Sequence, residues 1–484
     1  MHGSGAGTRS STKVFGNIFI SFIGAGVLGL PYAFKEAGIL EGTLIMSFVG
    51  YLSVQAMLLL IDCKDQMEGN QYHSLSNGDK GDAEVALIPL SNGMSKAEME
   101  KRTTKTLARS EKNSNNSSSK SVQEIGYGDV GYFAMGNTGA TLVDVAIVVS
   151  QTGFCCAYLI FITENVAQYF SSMDHIPTGE DVPTTMPGSF VQRWALLILM
   201  LPLCCLCFLR HLHKLALFSL FADFANVFAY SIVFWFDFEH AHTVSVHPKE
   251  MDLSGFPFFA GMAVYCYEGA GMILSLEGSM AIEVRSQFRS IFKWAMLVIT
   301  TLYIVFGVCG YMSFGPVTNQ IITLNLPAGI FPLLVKMCLC FSLFFTYPVM
   351  MFPVVQILEK RCKGTFSSYI AGNFLRAGMV AMTGLVVLII PSFSTLMSLV
   401  GATCCSLLAF IMPALFHLRI FRSEMTLSKK VLDYTLIVVG VCATIIGTID
   451  SLKRLGIIPS SPEEIGTTET IASVFDNSTI PTTV

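Results

Sequence analysis

A membrane-length apolar run that interrupts itself in the middle governs what this chain can fold into. The run from Val14 to Phe34 has the roughly 20 residues a helix needs to cross a bilayer's hydrocarbon core. Within it, Phe19–Phe34 reads FISFIGAGVLGLPYAF, with Gly24, Gly26 and Gly29 closed by Pro31. Glycine costs roughly 1 kcal/mol per helix position against alanine, and proline about 3. One continuous helix is therefore not expected here. Broken backbone at membrane depth frees N–H and C=O groups, which is tolerated only where protein buries them or a water-filled cavity faces them. Groups freed in this way can hold a small polar ligand.

Composition agrees with a membrane setting. Of 484 residues, 52% are hydrophobic and 13% charged, against nearer 25% charged in soluble domains. The expected class is an all-α polytopic membrane protein. A formal net charge of −4 points away from a nucleic-acid partner. Most of the fourteen cysteines lie inside apolar runs, where they act as small buried hydrophobes. Cys63 and Cys362 lie just past span ends, where reversible palmitoylation competes with a plain thiol role. The first run is too long for a cleavable signal and ends in Pro-Tyr-Ala-Phe-Lys, not in small residues.

Eleven apolar runs follow one another at about 14–34, 41–61, 139–161, 191–209, 214–236, 256–276, 292–314, 329–357, 371–390, 394–416 and 431–449. They divide the chain into a lead at 1–13, spans one and two at 14–61, a polar loop at 62–137, spans three to five at 138–236, spans six to ten at 256–417, span eleven at 430–450 and a tail at 456–484. The loop carries NSNNSSSK, too polar to fold alone, and is expected to be largely disordered, as is the Ser/Thr/Pro-rich tail. Basic residues collect in alternate short loops: Arg210 and Lys214; Arg285, Arg289 and Lys293; Lys360, Arg361 and Lys363; Arg419, Arg422, Lys429 and Lys430. By the positive-inside rule the N-terminus and the 62–137 loop are cytoplasmic and the C-terminus luminal or extracellular, with Lys453 and Arg454 against the trend. The sequon at Asn477 is then open to glycosylation, and those at Asn115 and Asn116 are silent.

The sixth run, FPFFAGMAVYCYEGAGMILSLE, repeats the interruption with Gly269, Ala270 and Gly271 after Glu268. Glycine-broken segments at matching positions of two halves mark the binding site of an inverted-repeat carrier. Five spans precede the sixth and five begin with it. Close helix packing through small residues is the competing reading.

The segments IGAGVLGLPYAFKEAG, GYGDVGY with SQTGFCCAYLIFITEN, AVYCYEGAGMILSLE, FFTYPVMMFPV and PALFHLRIF resemble the amino acid/auxin permease family, and within it the vacuolar neutral amino acid exporters. The likeness runs from about Lys13 to Leu455, apart from the 63–121 insertion and the outer loops. It implies 11 transmembrane helices: the 5+5 inverted repeat of the amino acid–polyamine–organocation (LeuT-like) superfamily plus one extra helix. It also implies proton-coupled transport, and a vacuolar or lysosomal membrane, with the plasma membrane as the alternative.

A zwitterionic substrate has an anionic and a cationic end. A half-helix N-terminus suits the carboxylate, so Gly24, Ala25, Gly26 and Val27 are the candidates there. Carbonyls around Tyr265 and Tyr267 at the end of the other half-helix suit the ammonium. Gly269 and Thr346 complete the candidate pocket, and Gly29, Pro31 and Gly271 are the hinge candidates. Ionisable residues within spans are costly and therefore suspect. Glu268 is the first proton-coupling candidate, unless backbone donors hold its carboxylate as a brace for the break; Asp223 is the second. No catalytic or metal-ligand pattern stands out, and no cofactor is expected; the expected partners are neutral L-amino acids, protons and lipid, with the protein a monomer. A sensor using the same fold and signalling through the 62–137 loop is the rival reading. Deleting residues 90–120 separates them: a carrier keeps its flux in an uptake assay, whereas a sensor loses its signal.

Overall fold

The structure is a computed structural model and describes residues 10–76, 125–173, 188–209, 216–240, 249–327, 329–361, 369–422 and 425–459. The three sequons, the low-complexity stretch and the tail beyond residue 459 lie outside the described residues.

Helix α1 (Ser11–Phe22) starts at Ser10, whose side chain accepts the Lys13 N–H. It ends at Ile23, where the backbone turns extended, and Gly24 is extended as well. A 3₁₀ turn (Ala25–Gly29) then leads into α2 (Leu30–Ala37). Pro31 falls in the first turn of α2, where its missing N–H is no loss. The two arms are bent by 49°. Gly38, at φ +91°, ends α2; a Cβ there would lie 2.8 Å from the Glu250 backbone.

The remaining helices are α3 (Ile39–Ser76), α4 (Tyr127–Met135), α5 (Asn137–Met173), α6 (Gly188–Cys207), α7 (Ala216–His240), α8 (Phe256–Cys266), α9 (Ala270–Gly278), α10 (Phe288–Phe314), α11 (Ile330–Arg361, with Pro348 and Pro353 inside it), α12 (Tyr369–Ile389), α13 (Phe393–Val400), α14 (Met412–Ile420) and α15 (Leu427–Arg454). Two π-helical turns, Gly401–Cys405 and Leu407–Ile411, join α13 to α14. No β-strand occurs among the described residues. Nine stretches among them are long and apolar enough to cross a membrane, and the bent α1–α2 pair makes a tenth. The chain is an all-helical, multi-pass membrane protein.

The interrupted elements lie at the centre. Helix α8 packs on α2, α3, α13, α15 and the first π turn, while α10 covers α1 and α2. Helix α11 runs along α5 and α7. Glycines permit the tightest of these contacts: a Cβ on Gly401 would stand 1.9 Å from the Gly261 carbonyl. Phe34 meets Phe259 edge-on at 5.0 Å between ring centroids, locking α2 to α8. Helices α6 and α15 stay largely unburied and form the periphery.

Helical structure reaches into both ends of the 62–137 segment: α3 runs past its apolar part to Ser76, and α4 covers Tyr127–Met135. Charged pairing explains the α3 extension. Asp62 and Asp65 meet Arg289 at 2.5 and 2.7 Å, and the buried Lys64 meets the buried Glu277 at 2.5 Å. Arg285 adds contacts to Glu277 and Glu68. Arg361 pairs with Asp144 at 2.6 Å. Arg285, Arg289 and Arg361 were grouped by sequence on one side of the membrane, and each here binds an acid at a neighbouring span's end.

Between α14 and α15 a hydrogen bond of 2.7 Å joins His417 Nδ1 to Asp433 Oδ2, both side chains wholly buried. Removing one partner strands the other, at about 3–5 kcal/mol. Asp433→Leu is therefore expected to lower thermostability markedly, and His417→Leu with Asp433→Leu to recover much of the loss, as read by melting of the purified protein in detergent.

Candidate functional site

Two interrupted crossings meet at a cavity of ≈ 380 Å³. From the first come Phe22 and Gly24–Val27; from the second, Tyr265, Cys266, Glu268, Gly269 and Gly271. The contact is intimate. A Cβ on Gly26 would lie 2.9 Å from Cys266 Sγ, and one on Gly269 would lie 2.3 Å from the Phe22 ring. Gly24 and Gly271 differ, with nothing within 4 Å of an added Cβ. Helix α5 supplies Ile147, Gln151, Phe154 and Tyr158; α11 supplies Val349, Met350, Pro353 and Ile357. All but Tyr158 come from the early half of α5 and the late half of α11, so the cavity extends from the breaks toward the end where α1 begins.

The breaks create four helix ends at membrane depth. The carbonyl end of α1 is met by Tyr303, whose hydroxyl donates to Phe22 O at 2.6 Å, and Tyr230 donates to Gly24 O at 2.9 Å. At the end of α8, Tyr303 also lies 3.4 Å from Cys266 O, and the Glu268 N–H reaches Tyr265 O at 3.3 Å. The Glu268 carboxyl lies beside the amide end of α9, near the Gly271 and Ala270 N–H groups. The fourth end stays open. The first bond of the 3₁₀ turn is Val27 N–H to Gly24 O, which leaves the N–H groups of Gly24, Ala25 and Gly26 ahead of its ladder.

Two side-chain oxygens in the lining are buried and have no hydrogen-bond partner among the described residues: Glu268 Oε2 and Gln151 Oε1. Glu268 thus stands between the break and the cavity with Oε2 unpartnered. Among the described residues it is the one acidic or basic side chain in the lining.

The cavity gathers Gly24, Ala25, Gly26, Val27, Tyr265, Glu268, Gly269 and Gly271. It does not reach Tyr267 or Thr346. The Tyr267 hydroxyl lies 2.9 Å from Thr300 Oγ1 and 3.3 Å from Met46 O, and Thr346 donates to Ser342 O. Gly29 sits in the 3₁₀ turn against Met262, where a Cβ would come within 2.6 Å of Met262 Cε. Asp223 lies on α7 with its side chain outside the described residues. Gln151, Tyr230 and Tyr303 went unnoticed in the sequence. Gln151 left a signal, a lone amide inside an apolar run; the two tyrosines look like any other core aromatic.

An all-helical protein that encloses a cavity where two interrupted crossings meet has the build of a membrane transporter. Comparison with known proteins supplies the family. Residues 7–86 and 103–453 match the family described as "Transmembrane amino acid transporter protein". Among similar proteins of Arabidopsis thaliana, amino acid transporter AVT3B is 34% identical over 459 residues, spanning 94% of this chain and 95% of its own. Amino acid transporter AVT3C is 33% identical over 465 residues (94% and 93%), and amino acid transporter ANT1 30% over 477 (93% and 94%). The chain belongs to the transmembrane amino acid transporter family, that is, the amino acid/auxin permeases.

The glycines of the first break give a paired prediction. Gly26→Val forces a branched side chain onto Cys266 and Tyr265 and is expected to destabilise the fold by about 1–3 kcal/mol. Gly24→Ala, with open space before it, is expected to leave the melting temperature unchanged while weakening substrate binding. Thermal melts and equilibrium binding on the purified protein check both.

Proposed function

We propose that this protein is a proton-coupled secondary active transporter of neutral amino acids, exporting them from a vacuole or lysosome. The observation that carries the reading is the cavity between the two breaks, with one helix N-terminus open and Glu268 Oε2 unpartnered. The substrate carboxylate lies on the N–H groups of Gly24–Gly26, where the partial positive charge of a helix N-terminus favours an anion. The ammonium lies between the carbonyl end of α8 around Tyr265 and the free oxygens of Glu268 and Gln151. A lining with no second charge leaves an acidic or basic side chain without a partner, which favours neutral amino acids. Tyr267 and Thr346 act from behind the pocket, and Gly29, Pro31 and Gly271 serve as hinges.

Helix α7, 25 residues long, is the fifth crossing, which brings the count to eleven. Spans one to five and six to ten then form two halves of opposite orientation, each opening on a broken helix, with α15 outside the repeat. Burial disfavours the charged form of a carboxyl, so Glu268 can take up a proton on the acidic side and release it on the other; Asp223 is the second candidate. Each pH unit supplies about 1.4 kcal/mol and each 100 mV about 2.3 kcal/mol per charge, enough for concentrative export from an acidic lumen.

Reconstituted in proteoliposomes, Glu268→Gln is expected to lose uptake driven by a pH gradient while labelled-for-unlabelled exchange stays measurable. Gradient-driven accumulation by this variant would remove Glu268 from the coupling step. Competition by a panel of amino acids in the same vesicles tests the neutral preference.

A further inference from the structure

A second carboxyl, on the far side of the breaks from the cavity, has no hydrogen-bond partner among the described residues. Asp237, near the end of α7, is 0% exposed, and neither Oδ1 nor Oδ2 has a hydrogen-bond partner among the described residues. Its main-chain carbonyl accepts from Ser313 Oγ of α10, which fixes the backbone and leaves the carboxyl untouched. That carboxyl closes on Gly310 together with the Pro31 ring: a Cβ on Gly310 would lie 2.6 Å from Pro31 Cγ and 3.2 Å from Asp237 Oδ2. Asp237 therefore sits where the first turn of α2 seats against α10.

Among the described residues, the charged groups of the surrounding elements are engaged elsewhere. On α2, Lys35 donates to Thr318 O at 3.1 Å and Glu36 pairs with Arg454 at 2.9 Å. On α11, Lys336 donates to Gln168 at 2.8 Å. Glu239, two residues along α7, is exposed. From α10 the titratable neighbour is the Cys309 thiol, which brings no positive charge. An ionised carboxylate buried without counter-charge or donor is far costlier than the neutral acid. With α2 seated, nothing among the described residues stabilises an ionised Asp237.

We propose that Asp237 is a proton-binding site of the outer half, filled from the face where α2 ends when α2 withdraws from α10, and required in its neutral form before α2 can seat again. The step is simple protonation: one O–H bond forms on the carboxylate when water reaches it, and no other bond changes. The site makes proton supply on that face a condition for closing it, whereas Glu268 faces the cavity on the other side. This inference rests on the transport reading given above and adds a site to it.

The test is labelled-for-unlabelled exchange in proteoliposomes, with the pH fixed on the inner face and varied on the outer. Exchange by the unaltered protein is expected to fall as outer pH rises, by up to about tenfold per pH unit, the limit for one obligatory proton. Asp237→Asn keeps the shape and cannot ionise, so its profile is expected to be flat; Asp237→Glu is expected to keep a pH dependence with a displaced midpoint. As a readout apart from transport, a hydrophobic carbodiimide, which attacks protonated carboxyls in apolar surroundings, is expected to label Asp237 at acid outer pH and less as that pH rises, by mass spectrometry. A flat profile in the unaltered protein, a wild-type profile in Asp237→Asn, or no adduct on Asp237 at acid pH overturns the proposal. If the Asn variant does not fold, the Glu variant and the labelling decide it. Glu268→Gln, run alongside, separates the two readings: accumulation surviving in that variant removes the coupling role of Glu268 only, and a wild-type profile in Asp237→Asn removes the Asp237 site only.

Discussion

A main-chain amide or carbonyl left without a partner in the interior of a bilayer costs several kcal/mol, and most of this architecture follows from how that cost is met. Two interrupted crossings produce four helix ends. Tyrosine hydroxyls from α7 and α10 serve the carbonyl ends, through Tyr230 to Gly24 and Tyr303 to Phe22 and Cys266. The Glu268 carboxyl stands beside one amide end from within its own span. The amide end at Gly24–Gly26 faces the cavity, and with Glu268 and Gln151 it makes the lining polar around the breaks, against the apolar side chains of α11.

Much of this was legible before any coordinates, for reasons tied to particular residues. Gly24, Gly26, Gly29 and Pro31 disfavour helix strongly enough that the first break was evident, and the Glu-Gly-Ala-Gly sequence after Tyr267 marked the second. The ion pairs of Arg289 and Arg361 tie their basic loops to the ends of α3 and α5. What escaped was set by rotation about a helix axis, which a string of apolar residues does not encode. Tyr267 and Tyr265 are two residues apart, yet one ring lines the cavity while the other turns to Thr300 on α10. Tyr303 and Gln151 act through neighbours distant in sequence. Asp237 stood one residue beyond the end assigned to the fifth apolar run, where a carboxylate reads as a solvated cap.

Small residues play two separable parts in the same few turns. Gly261, Gly401, Gly26 and Gly269 permit contacts that any Cβ would obstruct, and they hold the interrupted crossings against each other and against the π-helical stretch. Gly24 and Gly271 face empty space, and their value lies in the room they leave.

The charged cluster where α3 meets α9 and α10 has a mechanical meaning. Lys64 and Glu277 are both buried, and Arg285 and Arg289 stitch the neighbouring chain to the end of α3. Peeling α9 away by itself would strand a carboxylate and an ammonium in apolar surroundings, a rupture of about 3–5 kcal/mol. The three elements are better described as one girder, and a girder pivots as a unit where a lone rod would flex.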